Sequence, residues 1–337
     1  MRALLRGAGQ HEGRGCGRRT GLLCADTARH PGAGPAGRRA AAVARCRSRR
    51  GGGAGGILHL GEPAAVLPPQ GARCRPARRP GLAHVSGTDA TAEASARRQE
   101  LAERLGAVRG RIAAACAAAG RTDPPGLIVV TKFFPAADVR LLSGLGVRDL
   151  GENRDQEAAA KAAETADLHL RWHFIGQLQS NKARSVVRYA AAVHSVDRPS
   201  VAEALAKAAG TEAERRSGAG LPLRPDLGCF IQVSLDPDAR AGGRGGAAAS
   251  EVPEIAARLA GAQGLHLEGV MAVAPLGADP LTAFQRLAGI SADLRADHPG
   301  AAAISAGMSG DLEAAIQAGA THLRIGSDVL GPRPPLR

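Results

Sequence analysis

The chain has 337 residues, 44 basic and 31 acidic side chains, six cysteines and only seven aromatics, five of them Phe. The charge is uneven: residues 1–88 hold 16 arginines, no lysine and three acids, a net of +13, which leaves 28 basic and 28 acidic residues in 89–337. No run approaches the roughly 18 apolar residues of a membrane helix, and the cysteines at 16, 24, 46, 74, 116 and 229 lack Cys-x-x-Cys or paired metal spacing. An integral membrane protein is excluded, no metal site is expected, and reduced thiols in a cytoplasm are the expected state.

Residues 1–88 carry 18 of the 45 glycines, four of the six cysteines and no Phe, Trp or Tyr. Such a stretch cannot bury enough apolar surface to fold, so a disordered Arg/Gly/Ala-rich leader is predicted. Too few apolar residues follow Arg18-Arg19 for an export signal, and a mitochondrial presequence would hold more serines than Ser48 and Ser86. An arginine-rich tail that binds single-stranded nucleic acid usually interleaves aromatics for stacking, and none occur here. The composition reads most simply as translated sequence upstream of the true start, and no nucleic-acid partner is expected. Residues 89–337 then form one domain, close to the roughly 250 residues of a (β/α)8 barrel.

Thr91 is placed as the cap of a helix whose apolar positions Leu101, Leu105, Val108, Ile112 and Cys116 make one stripe, ended by Gly120, Pro124 and Pro125. Eight short apolar runs follow: Leu127–Lys132, Arg148–Asn153, Arg171–Gly176, Ala191–Asp197, Gly228–Leu235, His266–Val273, Ala302–Gly307 and His322–Ser327. Helical patterns fall between them near 137–145, 155–166, 179–190, 199–215, 250–261, 280–296 and 310–318. Alternation of this kind predicts a parallel α/β sheet covered on both faces, closed as a single TIM-like barrel. Asp236 to Ser250 is a Gly-rich loop, open to two readings: a flexible cover over a ligand, or plain surface.

In such barrels the site lies where strands end at the C-terminal face. The residues there are Lys132, Asn153, His173 with Gly176, Ser195, Ser234, Met271, Gly307-Met308-Ser309, and Arg324 with Gly326-Ser327. Beside Phe133 and Phe134, Lys132 would be partly desolvated, which lowers an amine's pKa and suits Schiff-base chemistry; a lysine merely snorkelling at a strand end is the bland reading. Ser309 and Gly326-Ser327 open the last two loops, where backbone N–H groups and hydroxyls could hold a phosphate, although a lone serine is more often only a helix cap. Arg324 should point into the barrel mouth, where an always-protonated guanidinium would keep a facing ring nitrogen unprotonated.

The segments VTKFFPAADV (130–139), LGENRDQEA (150–158), WHFIGQLQSNKAR (172–184), HSVD (194–197), IQVS (231–234), GVMAV (269–273) and GMSGDLEAAIQAGATHLRIGSDVLG (307–331) together resemble the pyridoxal phosphate homeostasis protein family, single-domain relatives of the alanine racemase N-terminal barrel. The resemblance covers about residues 91–331. It implies that Lys132 is the Schiff-base lysine, that Arg324 faces the pyridine nitrogen, and that Ser309, Gly326 and Ser327 bind the phosphate. It sets Asn153 beside the ring and leaves His173 and Met271 as further contacts at the strand ends. Arg154 stands where many members have an aromatic, and Phe134 where others have a second lysine. Lys182 and Arg184 are open to two readings, an accessory anion site or a solvated helix face.

The implied function is to hold pyridoxal 5'-phosphate as a lysine aldimine for intracellular homeostasis and delivery to apo-enzymes. The implied protein is a cytoplasmic, monomeric, non-catalytic carrier. The alternative is a racemase-like enzyme that uses the same cofactor, but the related racemases draw on an added C-terminal β domain for a second base, and this chain stops six residues after Gly331. An unrelated phosphate-binding barrel enzyme is a further alternative.

Overall fold

The computed structural model describes residues 87–236 and 245–333, with side chains from residue 91 onward. The expected leader, apart from its last two residues, and positions 237–244 of the Gly-rich loop lie outside the described residues.

Each apolar run forms a strand: β1 (Gly126–Val130), β2 (Asp149–Glu152), β3 (Arg171–Phe174), β4 (Ala190–Val196), β5 (Leu227–Gln232), β6 (Leu265–Met271), β7 (Ala303–Ser305) and β8 (His322–Ile325). All neighbours pair in parallel, and β8 returns to β1 with Arg324 opposite Ile128, which closes the barrel. The expected strands run too far at their C-terminal ends. Lys132, Asn153, Gly176, Ser234, Gly307 and Ser327 all lie past the last ladder residue, because the chain leaves the sheet there to build the rim.

The helices are α1 (Gly87–Ala118), α2 (Ala136–Gly144), α3 (Asp155–Glu164), α4 (Ala183–Tyr189), α5 (Pro199–Gly218), α6 (Val252–Ala260), α7 (Pro280–Asp297), α8 (Leu312–Gln317) and α9 (Ser327–Leu330). The pattern expected at 179–190 divides into a 3-10 turn, Ser180–Lys182, and α4. Thr91 does not stand at an N-cap: α1 begins at Gly87, since nothing between 87 and 91 breaks a helix.

Among the described residues after β8 only the four-residue α9 forms a helix, so the described helical layer lacks a full eighth member. α1 fills that place by packing on α8, α9 and α2, and its predicted stripe from Leu101 to Cys116 is fully buried. The main apolar core lies between strands and helices. Inside the barrel the apolar cluster is small, Ala192, Phe230 and Met271. Polar side chains accompany it in the strands, with His173, His194, Ser305 and Arg324 all buried. This interior polarity is unusual beside the branched aliphatic filling typical of such barrels, and it leads to the site.

Candidate functional site

Beyond β1, the Thr131 amide still donates to the Gly151 carbonyl at 3.0 Å, and the Phe134 amide returns to the Thr131 carbonyl at 3.0 Å. Lys132 sits in this turn, half-buried. Phe133 follows it with φ +72, a left-handed conformation that costs a non-glycine residue roughly 1 kcal/mol. Its ring lies against the guanidinium groups of Arg154 and Arg333, 5.5 and 4.8 Å from the centroid, which offsets that strain.

A buried ion pair supports the turn from behind. Lys161 Nζ donates to Glu152 Oε1 at 2.6 Å and to the Thr131 carbonyl at 2.8 Å, while Thr131 Oγ1 donates to the same carboxylate oxygen at 2.7 Å. The peptide that precedes Lys132 is therefore tied to β2 and α3. Burial draws the Lys132 ammonium below the usual lysine range, the Arg333 charge adds to that, and Glu152 opposes it. The consequence is a larger share of neutral, nucleophilic amine.

Across the rim, Gly307 has φ +92, and a Cβ there would come within 2.6 Å of the Ala315 Cβ, so only glycine lets β7 pass into its loop. The Asp311 carboxylate accepts the Met308 amide at 2.5 Å and closes the loop around Ser309. Ser327 Oγ donates to Ser309 Oγ at 3.3 Å, which joins the two final loops. Arg111 of α1 binds both from outside: it donates to the Ser309 carbonyl at 3.1 Å and pairs with Glu313 and Asp328 at 2.9 and 2.6 Å.

Arg324 is buried, with Nη1 donating to Ser305 Oγ at 2.6 Å and Nη2 to the Ala272 carbonyl at 2.9 Å. Burial pushes its pKa down to about 10, with the Asp311 charge opposing, so it remains a cation at neutral pH.

Lys132, Ser309, Arg324, Gly326 and Ser327 all line one cavity of about 300 Å³, at the small end of ligand clefts, which run roughly 300–1,000 Å³. Met308, Ile175, Phe133, Phe134 and Arg333 complete much of its wall. Among the described residues, three cations and no carboxylate line this space, which favours an anionic ligand.

The other three expected residues lie elsewhere. Asn153 lines a neighbouring cavity with Gln177 and Lys182, and its Oδ1 is buried without a hydrogen-bond partner among the described residues. His173 lies within the barrel, bonded to Asp149 and His194. Met271 packs on Ala192 and Phe230 inside the barrel, while Met308 takes a place on the cavity wall. Arg184 belongs to α4 and does not line that neighbouring cavity. Arg333, Lys161 and Arg111 were not singled out from the sequence. Lys161 carried a faint signal, a lone lysine nine residues after Glu152 in an Ala-rich helix; the other two carried none.

The family model described as alanine racemase, N-terminal domain, matches residues 101–334. A pyridoxal phosphate homeostasis protein of Mycobacterium tuberculosis is 43% identical over 249 residues, 70% of this chain and 94% of that one. The protein of the same name from Pseudomonas aeruginosa is 42% identical over 238 residues, 69% and 96% of the two chains. The solved structure of PipY from Synechococcus elongatus, with pyridoxal phosphate bound, is 34% identical with a TM-score of 0.57, covering 68% of this chain and all of that one.

Proposed function

Because the chain belongs to the pyridoxal phosphate homeostasis protein family, whose barrel is that of the alanine racemase N-terminal domain, we propose that it holds pyridoxal 5'-phosphate in the cavity between Lys132 and the last two loops. One observation carries this reading: a half-buried amine of lowered pKa, a buried guanidinium and two facing serine hydroxyls share one cavity whose described lining holds no acid. That donor set fits a ligand with an aldehyde, a ring nitrogen and a phosphate. When bound, pyridoxal phosphate supplies an electrophilic aldehyde on an electron-withdrawing ring.

Each residue then has a task. Lys132 offers the neutral amine, kept available by its burial and by the Arg333 charge. Ser309 and Ser327 hydroxyls, with the backbone at Gly310 and Gly326, supply donors for the phosphate, and Arg111 holds those two loops in register. Arg324, remaining protonated, can only donate, so a ring nitrogen facing it is kept as an acceptor, which weakens the ring as an electron sink. Asn153 and Met271 do not line this cavity, and His173 connects to it through His194, Ser305 and Arg324.

Among the described lining residues, Lys132 is the one amine, and burial shifts it toward its neutral, basic form. A single base supports holding the cofactor over two-base turnover, in keeping with the homeostasis role named for the relatives. The reading extends to a monomeric, cytoplasmic carrier that releases cofactor to apo-enzymes, and no described helix is long and apolar enough to cross a membrane. Light scattering tests the first property, and reactivation of an apo-enzyme by the loaded chain tests the last.

The decisive experiment is borohydride reduction of the loaded full chain followed by peptide mass spectrometry. The expected adduct sits on Lys132 and is lost in Lys132→Ala at unchanged Tm. An adduct on another lysine, or one retained in that variant, overturns the assignment.

A further inference from the structure

Five side chains inside the barrel form one hydrogen-bonded chain that crosses it. Arg324 Nη1 donates to Ser305 Oγ at 2.6 Å, and Ser305 Oγ lies 2.9 Å from His194 Nδ1. His194 Nε2 lies 2.9 Å from His173 Nδ1, and His173 Nε2 lies 2.9 Å from Asp149 Oδ1. The links come from β8, β7, β4, β3 and β2 in turn. Arg324 lines the cavity at the C-terminal rim, whereas Asp149 opens β2 at the opposite rim, where its other oxygen accepts from Arg171 at 2.6 Å.

Only one proton arrangement satisfies all four links when both imidazoles are neutral. A guanidinium only donates and a carboxylate only accepts, and a neutral imidazole has one donor and one acceptor. His173 Nε2–H therefore donates to Asp149, His194 Nε2–H to His173 Nδ1, and the Ser305 hydroxyl to His194 Nδ1, which leaves its oxygen to accept from Arg324. The ends agree with this. Burial would raise the Asp149 carboxyl, but bonds from His173 and Arg171 outweigh it and hold it below its usual range. His194 is kept neutral well below its ordinary range by burial and by the neighbouring His173, Arg324 and His322. Phe230, stacked on its ring at 4.2 Å, fixes its plane, and His322 approaches edge-on.

The two bonds from Arg324 run to neutral oxygens, a serine hydroxyl and a backbone carbonyl. A hydroxyl that gives up its own proton to a polarised acceptor becomes the stronger acceptor, so the carboxylate at one rim strengthens the hold on the cation at the other. We propose that Asp149, His173, His194 and Ser305 are a positioning relay, which fixes the Arg324 guanidinium at the cavity wall and transmits charge from the far rim to its contact with the cofactor. The inference rests on the cofactor reading given above.

The test uses the full chain titrated with pyridoxal phosphate, reading the absorption band of the bound cofactor and its dissociation constant, with Tm as control. Asp149→Asn, remote from the cavity, is expected to shift the band and weaken retention on the order of fivefold, the equivalent of about one hydrogen bond. Asp149→Glu, which keeps the charge, restores both. In a Ser305→Ala background, where the chain is already cut, Asp149→Asn has no further effect. A purely structural role predicts additive losses and no spectral change, and either result overturns the relay, as does an Asp149→Asn protein with wild-type band and affinity. If that variant melts below the assay temperature, His173→Gln, which breaks the next link, is judged by the same criteria. Absence of any Lys132 adduct in the wild-type chain refutes the cofactor reading itself, whereas an adduct with unaltered variants refutes only the relay.

Discussion

Lys161→Met would remove the buried cation behind the Lys132 turn while keeping its length and apolar stem. Glu152, 1% exposed, would keep only the Thr131 hydroxyl on one oxygen, and its second oxygen already lacks a partner among the described residues. Breaking one side of a buried pair typically costs about 3–5 kcal/mol, because the remaining charge is left uncompensated. For a domain of this size each kcal/mol moves Tm by roughly 2–4 °C, so a fall of roughly 6–20 °C is expected by calorimetry. Adding Glu152→Gln removes the stranded charge and should recover at least half of the loss. The double variant should also trap cofactor at lower pH than wild type, since Glu152 raises the Lys132 pKa and its loss lowers it further. A single variant within about 3 °C of wild type, or a double no more stable than the single, would refute the claim that this pair carries the turn.

Arg333→Ala should move the pH midpoint of borohydride trapping upward, because Arg333 helps to lower the Lys132 pKa and its removal leaves more of the amine protonated at a given pH. His322, pushed down to about 4 by burial and neighbouring charge, binds its proton more readily in the unfolded chain. Its contribution to stability is whole above pH 6.5 and is lost as the pH falls toward 4, by at most about 3 kcal/mol; His322→Gln should flatten that part of a Tm-against-pH curve. Arg111→Ala should cost no more than about 1 kcal/mol of stability, since its ion pairs are partly exposed, yet weaken cofactor retention roughly threefold or more by freeing the last two loops; unchanged retention would remove Arg111 from the site. Gly307→Ala should destabilise by about 2 kcal/mol or more, seen as a drop in Tm, because the side chain meets both a left-handed backbone and the Ala315 methyl.

The barrel was legible because each strand interior is a continuous β-branched or apolar run and each helix shows a spaced stripe, two periods that local sequence records directly. The α1 stripe predicted its buried face correctly even though its start did not, since Thr91 is a good cap but nothing before it forbids helix. That Lys132, Ser309, Arg324, Gly326 and Ser327 gather at one cavity was legible because a parallel barrel delivers strand ends to one rim, so position in the run is position at the rim. His173 and Met271 belong to the same runs and also face the barrel interior, but they sit among His194, Ala192 and Phe230 below the cavity, and inward alternation alone does not separate a filled interior from an open mouth. Arg111 and Arg333 were invisible for a different reason. They reach the rim from a helix packed outside the sheet and from the segment after β8, and only the closed fold brings those stretches to the loops they hold.

The interior shows a preference that stability alone does not explain. Glu152 with Lys161 is buried between β2 and α3, and His173 with His194, Ser305 and Arg324 occupies the barrel interior, where similar barrels carry aliphatic layers; well-packed apolar replacements of such groups are often neutral or stabilising. Each network nonetheless terminates at or beside the cavity: the first on the Thr131 carbonyl next to Lys132, the second on the guanidinium of Arg324. Hydrogen bonds are directional where apolar packing is not, so they fix the backbone that carries Lys132 and the guanidinium of Arg324 in orientation as well as position. If orientation is what these networks supply, replacing the second by an apolar set, for example His173→Leu with His194→Leu, should leave Tm near or above wild type while cofactor retention falls. Loss of stability without loss of retention would show instead that the polar interior serves the fold.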